Sequence, residues 1–226
     1  AAGIINAFCG CAGQRCMALP VVVAEEPVAD ALVRLLREKA AHLKLGPAYD
    51  KNTTLGPLVS ASRRKNVLDW IGRGIREGAE LVLDGRGISV PGYENGFFIG
   101  PTLFDHVTPG MSIGEQEIFG PVLCIKRVRN FEEGLSVMNA NPFANGSVIY
   151  TQNGRYAREF TRRTHGGMVG VNVGIPVPVC SFGFTGHKRS FFGDLHTMGT
   201  DGVRFYTEKK TVTSTWFEDG HSGTVD

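Results

Sequence analysis

The sequence has no run of apolar residues long enough to cross a bilayer, and no charged start followed by an apolar stretch of the kind that directs secretion. A membrane protein is therefore not expected, and the N-x-S/T matches at Asn52 and Asn145 are not expected to be glycosylated. An excess of charge of one sign is also lacking, since 24 basic residues stand against 22 acidic ones for a net +2. Without a broad cationic field nucleic acid is not an expected partner, and Arg162-Arg163 and His187-Lys188-Arg189 read as solvated faces. The five cysteines are odd in number and irregular in spacing, which argues against a disulfide framework and for reduced thiols in a cytosolic or organellar compartment. Internal repeats and low-complexity tracts are missing as well.

What is present is enough apolar material, 42% over 226 residues, to bury a substantial core as one large domain or a domain with an appendage. The chain starts at Ala1 inside an apolar helical pattern, without methionine, and a piece of a longer protein is expected. The stretch from Asn6 to Pro20 organises the reading. It places Cys16 on a polar Gly13-Gln14-Arg15 turn, between a helix whose packed face is Ile4, Ile5, Phe8, Cys9 and Ala12 and the strand-like Val21-Val22-Val23. Thiolate is the reactive form of cysteine, and a neighbouring guanidinium, free backbone N–H groups and partial exposure all favour it. Cys16 is thus a candidate nucleophile, the alternative being a small buried hydrophobe. No metal site is expected: Cys9, Cys11 and Cys16 lack paired zinc-ligand spacing, and the nearest histidine, His42, lies beyond a predicted helix.

Helical spacing of Val28, Leu32, Leu35, Leu36 and Leu43 predicts an amphipathic helix from Pro27 to Leu43. A loop from Leu45 to Pro57 and a helix capped by Ser60, running to Glu77 and stopped by Gly78, follow. Gly72, Gly74 and Gly78 lack dinucleotide-fingerprint spacing and read as surface helix glycines. Residues 81–104 alternate strand-like pieces with turns, as in hairpins or sheet-edge material. Then come strand (Val122 to Val128), helix (Phe131 to Asn139), strand (Gly146 to Tyr150), helix (Gly154 to Thr164) and strand (Met168 to Val173). This order requires crossovers, so the predicted fold class is α/β, a mostly parallel open sheet with flanking helices and a βαβαβ core over about 121–173. Ligand chemistry is expected at the carboxyl ends of its strands. Residues 174–199 read as a binding loop. The segments 203–207 and 211–216 are β-prone, and the last ten residues are expected to fray.

Together, GQRC at Cys16, Glu115-x-Glu117-Ile118-Phe119-Gly120-Pro121 roughly a hundred residues later, the Gly170-Val171-Asn172 strand and the closing Tyr206-Thr-x-x-Lys210-Thr-Val-Thr resemble the aldehyde dehydrogenase superfamily. GQRCMA, Ile175-Pro176-Val177-Pro178, Phe182-x-Phe184-Thr185-Gly186, Phe192-Gly193-Asp194 and the run from Gly202 to Thr207 are most similar to its methylmalonate-semialdehyde (malonate-semialdehyde) dehydrogenase branch. The resemblance covers the carboxyl-terminal half of such a protein. It implies a catalytic domain over 1–205 and an oligomerisation strand and tail over 206–226. A Rossmann-type NAD domain and an oxyanion-hole asparagine are expected to be encoded upstream.

The resemblance further implies roles. Cys16 would attack an aldehyde, Glu117 would hydrogen-bond the nicotinamide ribose of NAD, and Phe119 would pack against its nicotinamide end; outside this motif the last two read as a solvated carboxylate and a core aromatic. Arg15 either binds the carboxylate of a small carboxylated aldehyde, which suits a bidentate guanidinium, or only favours the thiolate or pairs with a local acid. Phe182 and Phe184 either wall the substrate pocket or pack. Three functions stay open: CoA-acylating dehydrogenase with coenzyme A as co-substrate, hydrolytic aldehyde dehydrogenase, and non-catalytic domain. The 226 residues alone are expected to be inactive, to self-associate, and to come from bacterial cytoplasm or the mitochondrial matrix.

Overall fold

Val122, Leu123, Cys124 and Ile125 are apolar in succession, without the alternation of a half-exposed strand, and all four are buried. That is the pattern of a strand covered on both faces. In the computed structural model, which describes residues 1–216, it is the second strand of a four-stranded sheet. β1 (Val21–Glu25) and β3 (Thr102–Asp105) flank β4 (Val122–Val128), both parallel to it, and β2 (Glu80–Leu83) adds antiparallel to β3 at the edge. The register sets Val21 opposite Cys124 and Thr102 opposite Val122.

The helices follow their apolar faces. α1 (Ala2–Cys9) buries Ile4, Ala7, Phe8 and Cys9. α2 (Glu26–Ala41) has Pro27 in its first turn and buries Ala29, Leu36 and Ala40, while Val28 and Leu35, read from the sequence as part of its packed stripe, are 55% and 42% exposed. α3 (Ala61–Arg76) is capped as expected: the Ser60 hydroxyl accepts a hydrogen bond from the Arg63 N–H at 3.2 Å. Gly74 departs from the surface role expected of it, because a Cβ there would lie 2.8 Å from Ile113 and 3.0 Å from Phe104. The glycine lets α3 press onto the sheet.

The mostly parallel α/β architecture expected from the sequence is present, but one strand pairing is not. α4 (Phe131–Ala140), β5 (Phe143–Ala144), β6 (Gly146–Ile149), α5 (Gly154–Arg163) and β7 (Met168–Val171) occur where the pattern placed a βαβαβ run. β6 and β7 pair in parallel across α5, yet β4 does not pair with β6. A strand has two edges, and both edges of β4 are taken by β1 and β3. β5 pairs antiparallel with β8 (His187–Lys188), far along the chain.

The β-prone stretch 203–207 is largely helical: α6 spans Gly199–Phe205, with Asp201 and Arg204 one turn apart and 3.6 Å between their charged atoms. Local hydrogen bonding overrides the propensity of Val203 and Phe205 there. Thr211–Trp216 lies exposed and outside any helix or strand. The fraying expected of the last ten residues falls on 217–226, outside the described residues. Among the described residues no helix is long and apolar enough to cross a membrane.

Candidate active site

The stretch that carries Cys16 is built on strained backbone. α1 ends at Cys9, earlier than its packed face suggested, and Cys11 (φ 53°), Ala12 (φ 53°) and Gly13 (φ 70°) then adopt the left-handed conformation in succession. Such a conformation costs an L side chain about 1–2 kcal/mol and persists only where the surroundings over-determine it. Here Ala12 is buried, and a Cβ on Gly13 would run into the carbonyl of Gly120. A tight turn follows, the Ala18 N–H donating to the Arg15 carbonyl at 2.9 Å. Of its two central residues, Met17 turns inward to 2% exposure and Cys16 stays exposed.

Three side chains hold this stretch. The Gln14 Oε1 accepts from the Val59 N–H at 3.0 Å, which ties the loop to the start of α3. The Arg15 Nη2 donates to the Asn6 carbonyl at 2.7 Å and the Ala7 carbonyl at 3.5 Å, while its Nε is buried without a partner. Asn6 and Ala7 lie in the last turn of α1, where backbone carbonyls lack helical partners and a cation is favourable. The third is Asn145, whose Nδ2 donates to the Cys16 carbonyl at 3.2 Å.

The remaining thiols are not equivalent. Burial pushes the Cys124 thiol up to about 12 and raises that of Cys9 as well, and Cys124 donates to the Ile113 carbonyl at 3.2 Å. Cys11 and Cys180 are exposed, like Cys16. Among the described residues no group of three or more His, Cys, Asp or Glu side chains is placed to hold a metal ion.

Glu117 and Phe119 lie on the turn that leads to Gly120, beside the Cys16 loop through the Gly13–Gly120 backbone contact. Glu117 is exposed and Phe119 half-buried, with φ at 57°, a left-handed position that a bulky residue rarely takes. Arg63, from the first turn of α3, donates through Nη2 to the Ile118 carbonyl at 2.8 Å and the Phe119 carbonyl at 3.4 Å. α3 and the residue pair leading into it therefore support both turns, through Arg63 and Val59.

Sequence reasoning placed the chemistry at the carboxyl ends of the strands, but of these groups only Asn145, between β5 and β6, directly follows one. Cys16 precedes the amino end of β1, Gly120 that of β4, and Asn145 that of β6. The loop after β7 returns to them: a Cβ on Gly146 would lie 2.8 Å from Met17 and 3.4 Å from Pro176. Farther along this loop, Phe182 is 66% exposed, while Phe184 is half-buried and its N–H donates to the Thr197 carbonyl at 2.8 Å. The sequence reading missed Asn145 and Arg63 as site residues. Each acts on a carbonyl distant along the chain, so neither carries a local signal.

Comparison with known proteins matches residues 1–212 to the model of the aldehyde dehydrogenase family. Malonate-semialdehyde dehydrogenase of Pseudomonas aeruginosa is 49% identical over 214 residues, covering 94% of this chain and 43% of the relative. Two solved structures superpose with TM-scores of 0.94 and cover 97% of this chain and 45% of theirs. One, from Sinorhizobium meliloti 1021 and 46% identical, is named as a methylmalonate-semialdehyde dehydrogenase complexed with NAD; the other, methylmalonate-semialdehyde dehydrogenase (DddC) from Oceanimonas doudoroffii, is 44% identical. This chain spans less than half the length of these relatives. The match over residues 1–212 and the identity to these relatives show that the chain belongs to the aldehyde dehydrogenase family.

Proposed function

We propose that this chain is the catalytic-domain part of an NAD-dependent, CoA-acylating dehydrogenase of malonate or methylmalonate semialdehyde. The observation that carries the reading is the backbone contact between Gly13 and Gly120, which sets the Cys16 loop against the turn bearing Glu117 and Phe119. The Cys16 thiolate adds to the aldehyde carbon, forming a C–S bond and leaving an alkoxide that its own backbone N–H helps to stabilise. NAD, when bound, supplies the acceptor for the hydride that leaves this carbon, a two-electron oxidation that turns the adduct into a thioester. Glu117 holds the ribose and Phe119 the nicotinamide end. A CoA thiolate then attacks the thioester, the acyl group passes to CoA and Cys16 leaves as thiolate. The substrate carboxylate departs as carbon dioxide, a proton taking its place. Phe182 and Phe184 belong to the loop that walls the substrate.

Arg15 is proposed to meet the substrate carboxylate with the part of its guanidinium not spent on α1. The test uses the protein that carries this chain, supplied with NAD, CoA and malonate semialdehyde. Acyl-CoA is expected as the product, whereas CoA-independent formation of free acid would favour hydrolytic release. Arg15→Met is expected to raise KM for the carboxylated aldehyde about 10- to 100-fold over that for an uncharged aldehyde of equal length, the scale of one charge-assisted hydrogen bond. Equal losses on both substrates would leave Arg15 only its role at the end of α1. The 226 residues alone are proposed to be inactive.

A further inference from the structure

Asn145 stands where three parts of the chain meet. Its side-chain Nδ2 donates to the Cys16 carbonyl at 3.2 Å across 129 residues of sequence. Its own carbonyl accepts from the Met168 N–H at 3.0 Å, which anchors it to the first residue of β7. Its Oδ1 faces the glycine-rich segment that follows Phe184, since a Cβ on Gly186 would lie 3.2 Å from it. Next to it, the Ala144 N–H donates to the Ser190 hydroxyl at 3.0 Å, and β5 pairs with β8. Asn145 is thereby held from the backbone side, and its amide is left to act on the cysteine turn.

The Cys16 carbonyl and the Met17 N–H belong to one peptide plane and point in opposite directions. A donor that fixes the carbonyl fixes the plane, and with it the torsion that aims the Cys16 side chain. Ala18 closes the same turn on the Arg15 carbonyl and leaves the Cys16 carbonyl to Asn145. We infer that Asn145 is a positioning residue for the nucleophile: its amide orients the Cys16–Met17 peptide so that the thiol stays accessible and the backbone N–H groups of the turn face the sulfur and the oxyanion formed there. The inference rests on the reading of Cys16 as nucleophile.

The test measures alkylation of each thiol by iodoacetamide against pH in this chain, with peptide mapping of the modified cysteines. Exposed Cys11 and Cys180 are internal references, and buried Cys9 and Cys124 report loss of structure. Asn145→Asp keeps the size and removes the donor; Asn145→Ala removes the whole side-chain amide and leaves the Cys16 carbonyl without it. In both variants Cys16 is expected to react about tenfold more slowly at neutral pH, with its pH midpoint moved upward, while Cys11 and Cys180 keep their rates and Cys9 and Cys124 stay protected. Unchanged rate and midpoint at Cys16 in both variants would overturn the proposal, as would a slowing shared by Cys11 and Cys180. Exposure of Cys9 and Cys124 in the isosteric Asn145→Asp variant would also overturn it, by making Asn145 a structural residue. A wild-type Cys16 no more reactive than Cys11 and Cys180 would instead remove the nucleophile reading beneath it.

Discussion

At the residue scale the chain offers five thiols in two environments. Cys9 and Cys124 are inside, where apolar surroundings disfavour thiolate; Cys11, Cys16 and Cys180 are outside. Limiting alkylating reagent near neutral pH is expected to modify Cys16 ahead of Cys11 and Cys180, and to reach Cys9 and Cys124 only in denaturant; first modification at Cys11 or Cys180 would speak against Cys16. Cys16 was legible because Gly-Gln-Arg-Cys between a helical and a strand pattern is a local feature. Glu117 and Phe119 were legible only through the motif around them. Arg63 and Asn145 were not legible, because a side chain that bonds a distant carbonyl leaves no periodicity and no spacing. The Gly13–Gly120 contact is of the same kind: both glycines are visible in the sequence, their meeting is not.

At the scale of elements, patterning located the helices and strands well, and failed where pairing or local bonding decides. The β4–β6 pairing was excluded by the prior claim of β1 and β3 on β4, which no window of sequence contains. Glycine in α3 gives a contrasted prediction. At Gly72 an added Cβ meets only the end of the flexible Arg76 side chain, at 3.3 Å, so Gly72→Ala is expected to stabilise by up to about 1 kcal/mol through helix propensity. At Gly74 the same change presses on Phe104 and Ile113, and a net loss of about 1–2 kcal/mol is expected from overpacking less the propensity gain. Urea midpoints moving in the same direction for both variants would contradict the packing of α3.

The sheet also carries a titratable joint. Asp105 on β3 is 2% exposed, and Arg127 on β4 donates to both its oxygens, at 3.2 and 2.7 Å, and pairs with Asp30 of α2 at 2.8 Å. Burial pushes the Asp105 carboxyl up, but the Arg127 hydrogen bonds and charge and the His106 N–H outweigh it and hold the carboxyl below its ordinary value. A group depressed on folding stabilises fully above its unfolded value, roughly pH 4, and loses that contribution as pH falls through the lower folded value. Asp105→Asn is therefore expected to cost about 3 kcal/mol at neutral pH, the scale for breaking a buried pair, and to flatten the acid limb of stability below pH 4. Chemical denaturation at several pH values checks both; an unchanged acid limb would remove Asp105 from the account.

At the scale of the whole molecule, apolar surface collects toward the carboxyl end. Phe192, Tyr206 and Trp216 are 94%, 84% and 91% exposed, and Thr211–Trp216, β-prone in composition, has no strand partner among the described residues. A strand-forming segment without a partner invites pairing with another copy. A homodimer is expected in light scattering at micromolar concentration, and deletion of residues 208–226 is expected to weaken it. A monomer unaffected by that deletion would show that the segment takes no part in assembly.

The parallel pairing of β1 with β4 has a metrological consequence. Cys16 stands five residues before Val21, and Gly120 four before Cys124, its partner in register. The two turns of the candidate site thus hang from two strands in fixed register, and that register is graduated by about 3.3 Å, the rise of one parallel-strand residue. Inserting a single residue between Pro121 and Val122 would shift one turn against the other by that graduation without lengthening either, and each motif would survive intact while reading against the wrong mark.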